Sequence, residues 1–238
     1  DMSKPRVEIP GDEKKALTDY AFHIKAGKEI FAAEGAFGQY LICFRDYPVS
    51  IGITSGASEY LAADICLKYI KEALEQPCKE QDREAAGRAL EEKVNRLGLA
   101  YAQGDRKEAG ERTSKLFNRK IVFSDNPRHI QKMILTRSGE NLVLYLTIDG
   151  ERKACQAGFK KWICNVLYPE DYRRKLHCMS YAFDEDALYI SVGLINTSYK
   201  EEYCLWVNED TVVATWMPNV TYLPMQEDKT WKFTGRFE

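Results

Sequence analysis

Residues 130–157 read Ile130-Gln131-Lys132-Met133-Ile134-Leu135-Thr136-Arg137-Ser138-Gly139-Glu140-Asn141-Leu142-Val143-Leu144-Tyr145-Leu146-Thr147-Ile148-Asp149-Gly150-Glu151-Arg152-Lys153-Ala154-Cys155-Gln156-Ala157. Three runs in this stretch, 130–136, 142–148 and 152–157, have strand composition and length. The breaks between them, Ser138-Gly139-Glu140-Asn141 and Asp149-Gly150, supply the residues that tolerate the positive φ of a tight hairpin. The runs therefore read as consecutive antiparallel strands. The same rhythm continues through 179–183, 187–195, 203–207 and 211–217, broken by Asp184-Glu185-Asp186 and Asn208-Glu209-Asp210. A meander of about eight strands is expected to close into a barrel or fold as a sandwich.

Residues 1–57 carry a second group of strands. Candidates are 19–24, a turn at Ala26-Gly27-Lys28-Glu29, then 40–44 and 49–54 around the turn Arg45-Asp46-Tyr47-Pro48. Ser58 is placed to cap a helix over 59–75, in which Ala62, Ile65, Cys66, Tyr69, Ile70, Ala73 and Leu74 share one face and Gln76-Pro77 ends the pattern. A second helix over 80–97 lines up Ala86, Leu90, Val94 and Leu97 and stops at Gly98. Residues 103–115 are almost devoid of apolar side chains and read as a linker. The fold class is α+β: antiparallel strands and helix over 1–78, helix and polar linker over 79–115, and an antiparallel barrel or sandwich over 116–238.

The chain has 238 residues with 34 basic against 36 acidic side chains, a net charge of −2. The balance is even along the chain, 18 basic and 20 acidic residues up to 115 and 16 of each after it. Such a surface offers no basic stripe for nucleic acid. No apolar run is long enough to cross a bilayer and no signal-like segment opens the sequence. The seven cysteines are widely spaced, with no Cys-x-x-Cys and no zinc spacing, so they read as buried reduced thiols and point to the cytoplasm. His23, His129 and His177 form no ligand-spaced pair, and Asp184-Glu185-Asp186 reads as a solvated turn. No metal or cofactor is therefore expected. The four tryptophans sit at strand spacing and read as core or barrel lining.

One stretch stands out, although Gly35 and Gly38 could simply relieve a crowded strand entry: Ala33-Glu34-Gly35-Ala36-Phe37-Gly38-Gln39-Tyr40, running into 40–44 and then Val49-Ser50-Ile51-Gly52-Ile53-Thr54-Ser55-Gly56. It resembles the C-terminal end of the catalytic domain in serine β-lactamase-related, penicillin-binding-protein-like hydrolases, where a Gly-Ala-Phe-Gly-Gln segment precedes the closing hairpin and the last helix. The segment from Phe117 to Pro127 and the run Gly158-Phe159-Lys160-Lys161-Trp162 are similar to the accessory β-domain that follows some members. The resemblance implies that Ala33-Glu34-Gly35 stands where the family has its Lys-Thr-Gly-like strand. Gly35 would let a substrate approach the backbone, and the Ala36 amide would serve as the strand donor of an oxyanion hole. Glu34 departs from the family's hydroxyl at that position. The Ser-x-x-Lys and Tyr-x-Asn motifs that supply nucleophile and proton relay are absent from the sequence, so no catalytic residue is assigned.

Two readings follow. In the first, the chain is the C-terminal part of a serine hydrolase that acts on a small-molecule or peptide substrate by acyl transfer, inactive without its nucleophile. In the second, the β-domain is a lipocalin-like module that binds a small apolar ligand or mediates assembly, with no enzymatic role. Three strands covered by one helix would leave an apolar sheet face open. Residues 19–57 are therefore expected to self-associate or to dock on 116–238.

Overall fold

The computed structural model describes residues 7–8, 17, 19–21, 24–57, 62–76, 79–166, 176–195, 197–220 and 230–238. Ser58, Pro77 and His23, singled out in the sequence, lie outside them, as do Phe22 and Cys78. The chain divides into two units, Asp1–Leu99 and Ala100–Glu238.

In the first unit six antiparallel strands pair in chain order: β1 (Val7–Glu8), β2 (Asp19–Ala21), β3 (Ile24–Ala26), β4 (Ile30–Gly35), β5 (Gln39–Phe44) and β6 (Ser50–Ile53). The expected single strand over 19–24 is instead shared by two paired strands, with Asp19 opposite Ala26 and Ala21 opposite Ile24. Alternation along β4 and β5 sends Ile30, Ala32, Tyr40, Ile42 and Phe44 to one face, where all are buried. Helix α1 (Ala62–Glu75) covers that face with Ala63, Cys66, Leu67, Ile70 and Leu74. Helix α2 (Arg83–Asn95), entered through a short 3-10 turn at Glu80–Asp82, has no buried residue; its stripe of Leu90, Val94 and the following Leu97 is exposed. This antiparallel meander with one helix against it is what the unit shows of the expected N-terminal architecture.

The second unit is mostly β and holds the larger core. After a one-turn helix α3 (Glu111–Ser114) come β7 (Lys120–Phe123), β8 (Ile130–Ser138), β9 (Asn141–Ile148), β10 (Glu151–Phe159), β11 (Ile163–Val166), β12 (Leu176–Phe183), β13 (Ala187–Leu194), β14 (Lys200–Asn208), β15 (Thr211–Pro218) and β16 (Trp231–Phe237). Nine of these strands close into a ring, from β10 through β9, β8, β7, β16, β15, β14 and β13 to β12, which pairs back to β10. Of the two forms open to a long meander, the chain adopts the barrel. An odd ring cannot alternate strand direction all the way round, and the mismatch falls between β10 and β12, which run parallel with Gly158 opposite Ser180 and Phe159 opposite Tyr181. Strand β11 is left outside the ring as a short partner of β12. The tight turn at Asp149-Gly150 is as read from the sequence, both residues at positive φ (51° and 81°) and Ile148 facing Glu151.

Two expectations change here. Cys164 and Cys178 face each other across β11 and β12 and form a disulfide, so the cysteines are not uniformly reduced; Cys43, Cys66, Cys155 and Cys204 are free thiols. Fourteen residues of separation gave no hint of the pairing, because only the strand register makes the two neighbours. Residues 103–115 are not a solvated linker. The amides of Asp105 and Arg106 both donate to the Phe183 carbonyl (3.1 and 2.9 Å), Phe183 donates back to Arg106 (2.8 Å), and Thr113 is fully buried. Just before them, the amide of Ala102 donates to Ser180 Oγ at 2.8 Å. A polar segment can bind through its backbone without apolar side chains, so composition alone misread it.

Gly104 is the tightest point of this attachment. Its φ is +108°, and a Cβ there would lie 2.7 Å from the Phe183 carbonyl oxygen. Gly104→Val is expected to destabilise the barrel unit by about 2–4 kcal/mol, through backbone strain and a clash with fixed backbone. Gly98→Ala, in open space, is expected to stay within about 0.5 kcal/mol. Urea unfolding of the two variants checks both values.

Candidate functional site

Inward-pointing residues recur at every second position around the ring, and the two ends of the barrel are filled differently. At one end Leu135, Leu142, Tyr181, Phe183, Leu188 and Val212 are all fully buried and pack against Leu116 and Ile121. One step further along the same strands, Leu144, Met179, Ile190, Leu205, Ala214 and Phe233 line a cavity of about 150 Å³. The step from bulky aromatic to aliphatic and small residues, ending in Ala214 opposite Leu205 and Phe233, leaves the space. Interiors pack to near crystal density, so an apolar void of this size is a specific feature of the fold.

Polar groups gather on the lining of this cavity. Asn126 builds the loop between β7 and β8. Its Nδ2 donates to the carbonyls of Ser124 and Ile130, both at 2.9 Å, and its Oδ1 accepts from the amides of Arg128 and Ile130 at 3.2 and 3.1 Å. The loop thereby presents Arg128 to the cavity. From the opposite wall, β14 contributes Glu201 and Tyr203 at inward positions continuous with Leu205. Arg128 Nη2 lies 3.2 Å from Glu201 Oε1, and the Tyr203 hydroxyl donates to Glu201 Oε2 at 2.7 Å. The Arg128 guanidinium also sits 5.7 Å from the centre of the Trp216 ring, which packs on Trp231. His177 is buried on the lining, while His129 and Asp149, 4.0 Å apart, are mostly exposed at its edge.

The electrostatics of the cluster are set by burial. Glu201 is 7% exposed, and a buried carboxylate needs both a counter-charge and hydrogen-bond donors. Arg128 and Tyr203 supply them. Burial first, and the neighbouring Glu201 charge second, push the Tyr203 phenol well above its ordinary value, so it stays protonated as a donor. Burial likewise pushes the Cys155 thiol up to about 12 and Cys204 to about 11, which leaves neither as a nucleophile at neutral pH. Among the described residues no group of His, Cys, Asp and Glu side chains has the arrangement of a metal site.

A wider groove of about 410 Å³ lies on the outer wall, bordered by Tyr101, Tyr189, Lys200, Glu202 and Cys204. Several of its polar groups are paired: Lys200 with Glu202 at 2.5 Å, Ser191 donating to Glu202, and the Tyr189 hydroxyl donating to Asp184 at 2.7 Å. Asp184 itself accepts from the amides of Asp186 and Ala187 (2.9 and 2.7 Å), so the acidic triplet is a turn, as expected.

The residues singled out in the sequence belong to the first unit. Glu34 and Gly35 end β4, and Ala36 opens the three-residue connection to β5, with Phe37 and Gly38 at positive φ. The Glu34 carboxylate pairs with Lys25 and accepts from the Tyr40 hydroxyl at 3.2 Å. Gln39 donates to the Ser55 carbonyl, and the Ala57 amide donates to the Phe37 carbonyl at 3.2 Å. The hairpin thus brings Glu34, Gly35 and Ala36 together as a braced turn. Asn126, Arg128, Glu201 and Tyr203 were not found from the sequence. Continuing the alternation of 203–207 two residues back would have put Glu201 on the apolar face, and that is the signal that could have found it.

No protein-family model matches the chain, and no curated protein matches it. Among solved structures it is similar to the apo form of lipid binding protein 8 of Caenorhabditis elegans, at 7% identity and a TM-score of 0.40 over 55% of this chain and 100% of that one. It is similar also to an abundant heat soluble (SAHS) protein from Ramazzottius varieornatus, at 9% identity and a TM-score of 0.40 over 58% of this chain and 99% of that one. Human cRBP IV matches at 9% identity and a TM-score of 0.31 over 44% of this chain and 70% of that one. At such scores these likenesses add nothing to what the strand register establishes. No helix among the described residues is long and apolar enough to cross a membrane.

The Glu201–Tyr203 contact has a pH signature. Because the folded state holds the Tyr203 proton beyond the unfolded value near 10, its contribution is complete below about pH 10 and is lost as pH rises through the folded value. Tyr203→Phe is expected to cost about 1–3 kcal/mol at pH 7 through the lost bond to a buried carboxylate. It is also expected to flatten the fall in stability above about pH 10, read from urea unfolding across pH 7–11.

Proposed function

We propose that the second unit is a small-ligand-binding barrel whose site is the interior cavity. One observation carries the reading: a closed barrel packed solid at one end keeps about 150 Å³ of space, walled by Leu144, Met179, Ile190, Leu205 and Phe233, at the other. Exposed apolar surface gains by excluding water, so an apolar molecule that fills this space replaces unfavourable hydration with dispersion contacts. Cavities of about 150 Å³ hold a single benzene ring, and drug-sized pockets run to about 300–1,000 Å³. The ligand is therefore small, about the size of a single aromatic ring.

The hydrolase reading rests on the order of strand, hairpin and helix in the first unit and on the resemblance around Gly35. Its chemistry needs a Ser-x-x-Lys nucleophile that this sequence does not contain. The cavity favours the binding reading.

Toluene is expected to bind the full chain with a dissociation constant on the order of 0.1–1 mM, shifting amide resonances of β9, β12 and β14 in a titration followed by nuclear magnetic resonance. Ala214→Leu places a larger side chain in the cavity and is expected to abolish those shifts. Because it fills existing space, it should leave thermal stability equal or higher. Toluene binding unchanged in a folded Ala214→Leu variant would place the ligand elsewhere.

A further inference from the structure

We propose that the barrel cavity selects uncharged ligands and discriminates against carboxylates and amines of the same size, because the guanidinium and the carboxylate on its lining already neutralise each other. The inference rests on the interior being a binding site and concerns what that site accepts.

An internal arginine offered alone would recruit an anionic ligand. Here Arg128 is committed to Glu201 at 3.2 Å, and the second carboxylate oxygen is taken by Tyr203 at 2.7 Å. The anchoring of each partner is structural. Arg128 is held by the loop that Asn126 braces with four hydrogen bonds, and Glu201 sits within β14 between β13 and β15. The Asn126 loop and the register of β14 thus place the two side chains within reach of each other.

A ligand carboxylate entering this cavity would lose its water and meet Glu201. Two anions would then share one guanidinium that is itself partly exposed, and the newcomer would be left poorly compensated beside the buried Glu201. A ligand ammonium meets the converse problem, since the Glu201 charge it needs is already balanced by Arg128. Asp149 and His129 lie at the exposed edge, where solvent screens them, and do not alter the balance inside. An uncharged molecule carries no such desolvation penalty and still gains the apolar walls. The raised pKa of Tyr203 agrees with this arrangement, since it keeps the phenol a donor to Glu201 at neutral pH.

The test uses three ligands with one ring and three heads: benzyl alcohol, benzoate and benzylamine, titrated into the full chain at pH 7.5 beside toluene. Benzyl alcohol is expected to bind about tenfold or more tightly than either charged ligand. Glu201→Gln frees the Arg128 charge while keeping the shape. In that variant benzoate is expected to improve by about tenfold or more, with benzyl alcohol changed by no more than about threefold. Benzoate or benzylamine binding the native chain as tightly as the alcohol overturns charge selection and leaves the cavity as a site. Failure of toluene and benzyl alcohol alike overturns the site itself, and the proposal with it. A folded Glu201→Gln chain in which benzoate does not improve overturns the role given to Glu201. The comparison on the native chain decides the matter even where the variant does not fold.

Discussion

A ring of nine strands cannot be antiparallel throughout, and the second unit is organised around the place where that constraint is absorbed. The parallel seam between β10 and β12, at Gly158–Phe159 against Ser180–Tyr181, closes the barrel and removes both edges of what would be an open sheet. It also forces β11 out of the ring. That short strand would be a poor partner by itself, and the Cys164–Cys178 disulfide ties it to β12. On the outside of the same strand, the segment through Ala102, Gly104 and Arg106 pairs with Ser180 and Phe183, so the strand at the seam is covered where it departs from regular alternation. Gly158 is needed for the fit. A Cβ there would lie 2.7 Å from the Lys161 carbonyl oxygen in the turn leading to β11.

Closure makes an interior, and side-chain size decides how much of it is filled. Bulky residues such as Tyr181, Phe183 and Leu188 complete one end, with Arg137 stacked 5.3 Å from Phe117 and donating to the Lys107 carbonyl at 3.0 Å. Toward the other end the same strands carry aliphatic and small residues, and the space they leave is the cavity. A packed end gives the barrel its rigidity, while a partly empty end forgoes dispersion contacts that larger side chains would have made. The presence of both along single strands is the strongest physical argument for a ligand.

The polar cluster sets the character of that space. Pairing the buried Glu201 with the partly exposed Arg128 brings little net stability, because desolvation of the carboxylate offsets most of the attraction. What the pair does is fix an electrically balanced lining, with Tyr203 as a third partner and Trp216 against the guanidinium. The cluster joins a loop from one side of the barrel to a strand from the other, so its geometry exists only in the closed ring.

Much of the barrel was legible in the sequence: the alternating runs from 130 onward, the Asp149-Gly150 hairpin, the Asp184 turn, and the antiparallel hairpin and helix of the first unit. All are local, since period-2 patterning and turn chemistry act over a few residues. The resemblance around Gly35 led toward a hydrolase; the structure places these residues at the β4–β5 turn, where Glu34 pairs with Lys25 and Tyr40 and Gln39 donates to Ser55. What the sequence by itself determined, then, was strands, turns and the faces they bury. Only the tertiary structure decided the parallel seam, the Cys164–Cys178 pair, the attachment of 103–115, and the meeting of Arg128 with Glu201 and Tyr203. Each depends on registers between segments far apart in the chain, and a register is set by the closing of the whole ring, which no window of sequence contains.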